Sequence, residues 1–191
     1  KSSHSPMIVR ENAPELVQHM AEMSQMVGVG PMAAVAGAIA QYATEAVVAA
    51  GADHVVFDNG GDIAMYLTHP TIVGLYTGPR GLNRLGFRVT QLDTVLGLCT
   101  SSATVGHSFS YGSTDASVVY SDDVTLADAA ATALGNMVSR EEPTLVEDSL
   151  STILTYDVRG AMVVIGDIIG TCGELPEIVQ AHVDYELISK G

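Results

Sequence analysis

Basic residues are scarce. Eight Lys and Arg stand against 22 Asp and Glu, a net charge of −14 at pH 7 with His neutral, so the chain has no patch with the positive field that a phosphodiester backbone demands. Nucleic acid is excluded as an expected partner, and a phosphate-bearing ligand would have to arrive with a metal ion. Cysteine is equally thin. Cys99 and Cys172 are isolated, without the paired spacing of a zinc or redox site, and two thiols in 191 residues do not make a disulfide framework. Both read as buried thiols acting as small hydrophobes, in a reducing, cytoplasmic compartment. Long apolar runs are missing too. The most apolar stretch, Met32 to Ala50, is interrupted by Gln41, Tyr42, Thr44 and Glu45 and is rich in Ala, which argues against a membrane span or a membrane partner. Lys1 to Pro6 are polar with no apolar run of signal length behind them, so a secretory signal is not expected.

What is present is a chain with 47% hydrophobic residues over 191 positions, enough for one sizeable core and read as one domain, residues 1–191. From Ala13 to Val27, Leu16, Val17, Met20, Met23, Met26 and Val27 recur at helical spacing, and Pro14 suits a first turn. Gly28-Val29-Gly30-Pro31 breaks that helix, and Met32 to Ala50 predicts a second, built largely from Ala with Gly37 inside it. A helical Gly gives up about 1 kcal/mol against Ala, so something approaches the backbone there, either another helix or a ligand.

Short β-type runs follow at His54–Phe57, Asp62–Leu67, Thr71–Tyr76, Phe87–Val89 and Ala116–Tyr120. A helix containing Asp128 then runs to about Val138 and stops at Glu141-Glu142-Pro143. Ser151–Val158, Ala161–Ile165 and Val179–Ile188 read as further strands, the last with half-buried alternation. Hairpin-length connections favour an antiparallel or mixed sheet with helices on one face, an α+β fold. A faint internal echo, Val55 to Ile63 against Val163 to Ile168 with Gly-Asp-Ile in each, raises a two-fold duplication against chance.

Four constellations could carry chemistry. Asp128 and Thr132, four residues apart at the start of an alanine-rich helix, aim a carboxylate and a hydroxyl the same way, as a small hard cation such as Mg²⁺ requires. The competing reading has Asp128 favouring the helix dipole and Thr132 bonding back to a carbonyl. The run looks too poor in large apolar side chains for core filling alone. Asp58-Asn59-Gly60-Gly61-Asp62 lets backbone approach a ligand, or is a tight hairpin. The run from Cys99 to Gly112, with Thr100, Ser101, Ser102, His107 and Ser108, offers hydroxyls, N–H groups and one imidazole to a phosphate or heteroaromatic ring, or is an ordinary loop with a satisfied His. Gly30, in the glycine loop before a helix, could serve an anion; it lacks a P-loop Lys and follows a helix, so neither a Walker nor a Rossmann site is indicated.

In this order these pieces resemble the ApbE-like superfamily of FAD:protein FMN transferases, from about Gly28 to about Met137. Ala127-Asp128-Ala129-Ala130-Ala131-Thr132-Ala133-Leu134 is similar to that family's metal segment and Asn59-Gly60-Gly61-Asp62 to its glycine turn. The glycine segment before the second helix and Gly106-His107-Ser108 resemble a shorter, uncharacterised branch of it. The resemblance implies a T-fold-like domain and FAD, FMN or a related nucleotide in a groove formed by Gly30, Gly37, Asn59 to Asp62, Thr100 to Ser102, His107 and Ser108. It also implies Mg²⁺ on Asp128, Thr132 and a backbone carbonyl near Val35. The Lys and Asp that transferases carry on the second helix are Ala36 and Gln41 here, which weakens the case for flavin transfer. Two readings result. One is a Mg²⁺-dependent transferase or FAD pyrophosphatase with His107 and Asp62 as proton carriers. The other is a non-catalytic flavin, nucleotide or heteroaromatic-ligand binder; homo-oligomerisation is compatible with either.

Overall fold

In a computed structural model of the chain, residues 4–78, 84–104 and 112–181 are described. The elements are α1 (Glu15–Met26), a 3-10 turn (Pro31–Ala34), α2 (Val35–Ala49), β1 (Val55–Asn59), β2 (Asp62–Tyr66), β3 (Thr71–Leu75), β4 (Leu85–Val89), β5 (Leu96–Ser101), β6 (Ala116–Ser121), α3 (Val124–Met137), α4 (Pro143–Ile153), β7 (Gly160–Ile165), β8 (Ile168–Gly173) and β9 (Glu177–Gln180). Six strands form an antiparallel sheet in the order β1-β2-β5-β6-β7-β8, and β3-β4-β9 form a second antiparallel sheet. The α+β expectation, with antiparallel strands and helices on one face, holds.

Strand alternation divides the large sheet between two cores. Ala64, Cys99, Val119, Ala161 and Val163 face the helices. Ile63, Met65, Leu98, Val118 and Met162 face the small sheet, where they pack with Phe87, Val89 and Leu75. A sheet buried on both faces shows nearly continuous apolar strands rather than alternation. That is why β5, Leu96-Gly97-Leu98-Cys99, escaped the period-2 reading although these four residues are buried.

The alanine-rich helix α3 lies between the large sheet and α1 and α2. Eleven of its residues are buried, among them Ala127, Ala129, Ala130, Ala131 and Ala133. The run was expected to be too poor in large apolar side chains for core filling alone, and its alanines are core. A helix enclosed on all sides needs small side chains so that neighbours come near its backbone, and the alanines are core filling of that thin kind. The methionine stripe of α1 is partly core: Met20 is buried and Met26 exposed.

Two other expectations are corrected. Pro143 opens a helix instead of ending one, sitting at the first turn of α4, where its missing N–H is harmless. Val146, Ser149, Leu150 and Ile153 are its buried face, so Ser151 begins no strand. Helix α3 begins at Val124, with Asp123 as its cap, four residues before Asp128. Of the run Val179–Ile188, β9 covers Val179 and Gln180, and residues 182–191 lie outside the described part. The sequence echo lands on the two hairpins that close the sheet at opposite ends, β1–β2 under α2 and β7–β8 under α4. Its first strand is the sheet edge in one hairpin and the inner strand in the other.

The stretch Pro31–Ala49 is long and apolar enough to cross a membrane by composition. Here it packs on α3, β1 and β2, burying Gly37, Ala38, Ala40, Gln41 and Thr44, as a core helix of this domain.

Candidate functional site

The β1–β2 turn is a two-residue hairpin, with Asn59 paired to Asp62 and Gly60 and Gly61 at φ of +73° and +104°. That conformation is the one the right-handed strand twist prefers, and it is open to glycine. The turn is held from three directions. The Asp58 Oδ1 accepts the Gly61 N–H at 2.9 Å, the Asn59 amide donates to the Ala36 carbonyl at 3.2 Å, and the Thr100 N–H donates to the Gly61 carbonyl at 3.1 Å. The hairpin reading is therefore correct for the backbone, and the turn is also tied to the amino end of α2.

Asp62 follows the turn on the helix-facing side of β2, opposite Cys99 in register. Its Oδ1 is shielded from solvent and has no hydrogen-bond partner. Burial, followed by the charge of Asp128, pushes the Asp62 carboxyl well above the usual range; the Cys99 thiol and the Thr100 N–H pull it part of the way back.

Asp128 arrives from α3, 7% exposed. Its Oδ2 accepts the Gly37 N–H at 2.8 Å, and the Ala36 N–H also favours the ionised form. These are donors of the first turn of α2, which has no intrahelical acceptors for them. Burial outweighs them and lifts the Asp128 carboxyl to about 7. Of the two readings offered for Gly37, close helix packing is the one observed. A methyl there would lie 2.6 Å from Cβ of Asp128 and 2.6 Å from the Val124 carbonyl oxygen. The glycine is what allows this carboxylate to reach the end of α2.

The other expected residues distribute around this pair. Thr132 is half-buried one turn further along α3. Val35 opens α2, so the end of that helix turned toward Asp128 presents N–H groups. Thr100 and Ser101 end β5, and Ser102 follows them; alternation puts Ser101 on the same side as Cys99 and Thr100 on the other. The Ser102 hydroxyl accepts the Thr104 N–H at 3.1 Å. Gly30 is buried ahead of the 3-10 turn, its carbonyl accepting the Ala33 N–H at 3.0 Å. His107 and Ser108 lie outside the described residues.

Two further residues surround the pair. Cys99 is fully buried, its thiol pushed up by burial and by the Asp62 and Asp128 charges. Gln41 accepts both the N–H (3.0 Å) and the hydroxyl (2.8 Å) of Thr125 on one Oε1, fastening α2 to the first turn of α3. A polar residue recurring on the apolar face of α2 was the available signal for Gln41. Cys99 was expected as a buried thiol, and its place beside Asp62 comes from the β2–β5 register.

No group of three His, Cys, Asp or Glu that could hold a metal ion occurs among the described residues. An all-protein transition-metal site therefore does not fit. A hard ion that takes one or two carboxylates and completes its shell with water and phosphate does fit, because the Asp62 carboxyl feels the charge of buried Asp128 and its shielded Oδ1 accepts no hydrogen bond.

The chain matches the AbpE bacteria family model over residues 1–165. It is 48% identical to a UPF0280 protein of Methanocella arvoryzae over 196 aligned positions, covering 100% of this chain and 78% of that one. It is 45% identical to UPF0280 proteins of Methanosarcina acetivorans, covering 94% of this chain and 71% of that one, and of Methanothrix thermoacetophila, covering 95% and 76%. These findings overturn the resemblance to the FAD:protein FMN transferases: the matching family is another, and its relatives' names mention neither flavin nor transfer. The backbone of the motifs that suggested it also has general structural uses, in a thin helix between sheet and helices and in a two-glycine hairpin.

Proposed function

The chain belongs to the AbpE bacteria family, whose name assigns no ligand, and we propose from the site itself that it binds a divalent cation, Mg²⁺ first, at Asp62 and Asp128, and with it a phosphate-bearing nucleotide of the flavin or a related class. The observation that carries this reading is the buried Asp62 Oδ1 with no partner, set against a second buried carboxyl whose charge it feels. A carboxyl oxygen kept out of water without a donor is destabilising unless it is protonated or meets a cation. Strongly perturbed carboxyls with a specific charged neighbour mark candidate functional sites.

The chain's own groups have defined tasks. The N–H groups of α2 orient Asp128. Burial and the charge of Asp128 make Asp62 hold its proton more tightly than a free carboxyl does, and a cation would displace that proton. The Gly60-Gly61 turn leaves backbone accessible beside it, and Thr132, Ser101 and Ser102 supply neutral oxygens. A net charge of −14 makes the ion the natural bridge to phosphate. When bound, such an ion neutralises pyrophosphate charge and can support its cleavage or transfer of the nucleotide. Binding without turnover is the second reading, supported by Ala36 and Gln41 standing where the transferases of the resemblance carry Lys and Asp. A cytoplasmic setting completes the proposal, since both cysteines are free.

The test is incubation of the metal-free chain with FAD, with and without Mg²⁺, followed by separation and mass spectrometry of protein and small molecules. FMN and AMP, or an FMN adduct, indicate turnover; FAD retained unchanged only with Mg²⁺ indicates the binder. If Mg²⁺ makes no difference to retention of FAD, FMN or ADP, and Asp62→Asn behaves as the native chain does, the proposal fails.

A further inference from the structure

Away from this site, a cleft of about 440 Å³ opens between α1 and α2, lined by His19, Glu15, Glu22, Gln41, Tyr42 and Glu45 among others. At its edge the His19 Nε2 lies 2.7 Å from Oδ2 of Asp123. The same carboxylate caps α3, its Oδ1 accepting the Leu126 N–H at 2.8 Å. One carboxylate thus joins two tasks, closing the amino end of α3 and tying that end to α1, the outermost helix. We propose that His19 and Asp123 form a protonation-controlled latch between α1 and the amino end of α3.

The groups facing His19 all work in one direction. Asp123 comes from α3, Glu22 from α1 and Glu45 from α2, and each favours the imidazolium; burial opposes them but is outweighed by the bond to Asp123, so the His19 pKa is raised above 6.5. Glu15 of α1 and Tyr42 of α2 complete the surroundings, the Tyr42 ring centroid 6.0 Å from that of His19, and among the described residues no Lys or Arg lines the cleft. The His19 side chain is 19% exposed and that of Asp123 31%, so protons exchange freely with solvent. The imidazolium is held more tightly here than in a free histidine, and the pair reverts to an ordinary hydrogen bond once the imidazole is neutral.

The direction follows from linkage. The folded chain binds the His19 proton more tightly than the unfolded chain, so the stabilisation is complete below about 6.5 and is lost as pH rises through the raised folded value. The latch acts at the start of the helix that carries Asp128, but the test needs neither ion nor nucleotide.

The experiment is an NMR titration of the histidine rings, with the His19 resonance identified by its loss in His19→Gln. Asp123→Asn is the second variant, because Asn still caps a helix while removing the charge. The His19 midpoint is expected above 6.5 in the native chain and closer to it in Asp123→Asn. Between pH 6 and 9 the native melting temperature is expected to fall about 2–4 °C more than that of His19→Gln. A native midpoint at or below 6.5, a midpoint indifferent to Asp123→Asn, or parallel melting profiles for native and His19→Gln overturns the proposal.

Discussion

Replacing Gly37 by Ala should destabilise this protein, against the ordinary effect of that substitution. In an unconstrained helix interior Ala is favoured over Gly by about 1 kcal/mol. Here the new methyl would lie 2.6 Å from Cβ of Asp128, 2.6 Å from the Val124 carbonyl oxygen and 3.3 Å from Oδ2 of Asp128. Carbon contacts settle near 3.5–4.0 Å, so α2 must withdraw from α3 by roughly 1 Å. Neither of the two obstacles at 2.6 Å is the free end of a flexible side chain. The overpacking penalty belongs at the upper end of its usual range, about 3 kcal/mol, and subtracting the propensity gain leaves a loss of about 2 kcal/mol. For a chain of this size that lowers the melting temperature by about 4–8 °C, measurable by circular dichroism. Withdrawal would also lengthen the 2.8 Å bond from the Gly37 N–H to Asp128, raising that carboxyl further. An unchanged or higher melting temperature would refute the inference that α2 meets Asp128 through this glycine.

Asp128→Asn should gain stability relative to the native chain as pH rises from 5 to 8. The folded Asp128 carboxyl is raised from 3.8 to about 7, so the native chain loses stability over that interval while the variant has no such group to ionise; parallel thermal-stability profiles would contradict this. Cys99 should resist alkylation until the chain unfolds, because the thiol is fully buried and pushed up; rapid labelling of Cys99 under native conditions, mapped by mass spectrometry, would show the β2–β5 region to be open. Thr125→Val should lose about 1 kcal/mol in denaturant unfolding by removing the 2.8 Å hydroxyl bond to Gln41, and no change would mean that this fastening contributes nothing.

Much of the architecture was readable where one physical signal dominated. The spacing of Leu16, Met20 and Met23 gave α1, and the glycines at positions 60 and 61 gave the hairpin. The failures share a cause: burial on more than one side erases periodicity. β5 carries apolar residues on both faces because a second sheet covers the first, and α3 is alanine-rich because it is enclosed by sheet and helices. Neither pattern announces itself before the layers are known. Pro143 misled because the same residue stops one helix and starts another, and Val146, Leu150 and Ile153 on its far side were the evidence that decides. At the candidate site, Asp62 and Asp128 were each visible as members of motifs. Their mutual influence depends on β2 and α3 meeting across 66 residues of chain, a tertiary fact, and the backbone donors of α2 that hold Asp128 depend on Gly37 in the same way.

The central claim is that Asp62 and Asp128 together bind a divalent cation. Calorimetric titration of Mg²⁺ into the metal-free chain, with and without FAD, tests it most directly, using Asp62→Asn and Asp128→Asn as comparisons. The account predicts saturable binding of one ion per chain, strengthened by nucleotide and lost in both variants. Absence of binding under either condition, or binding that survives both substitutions, would contradict it.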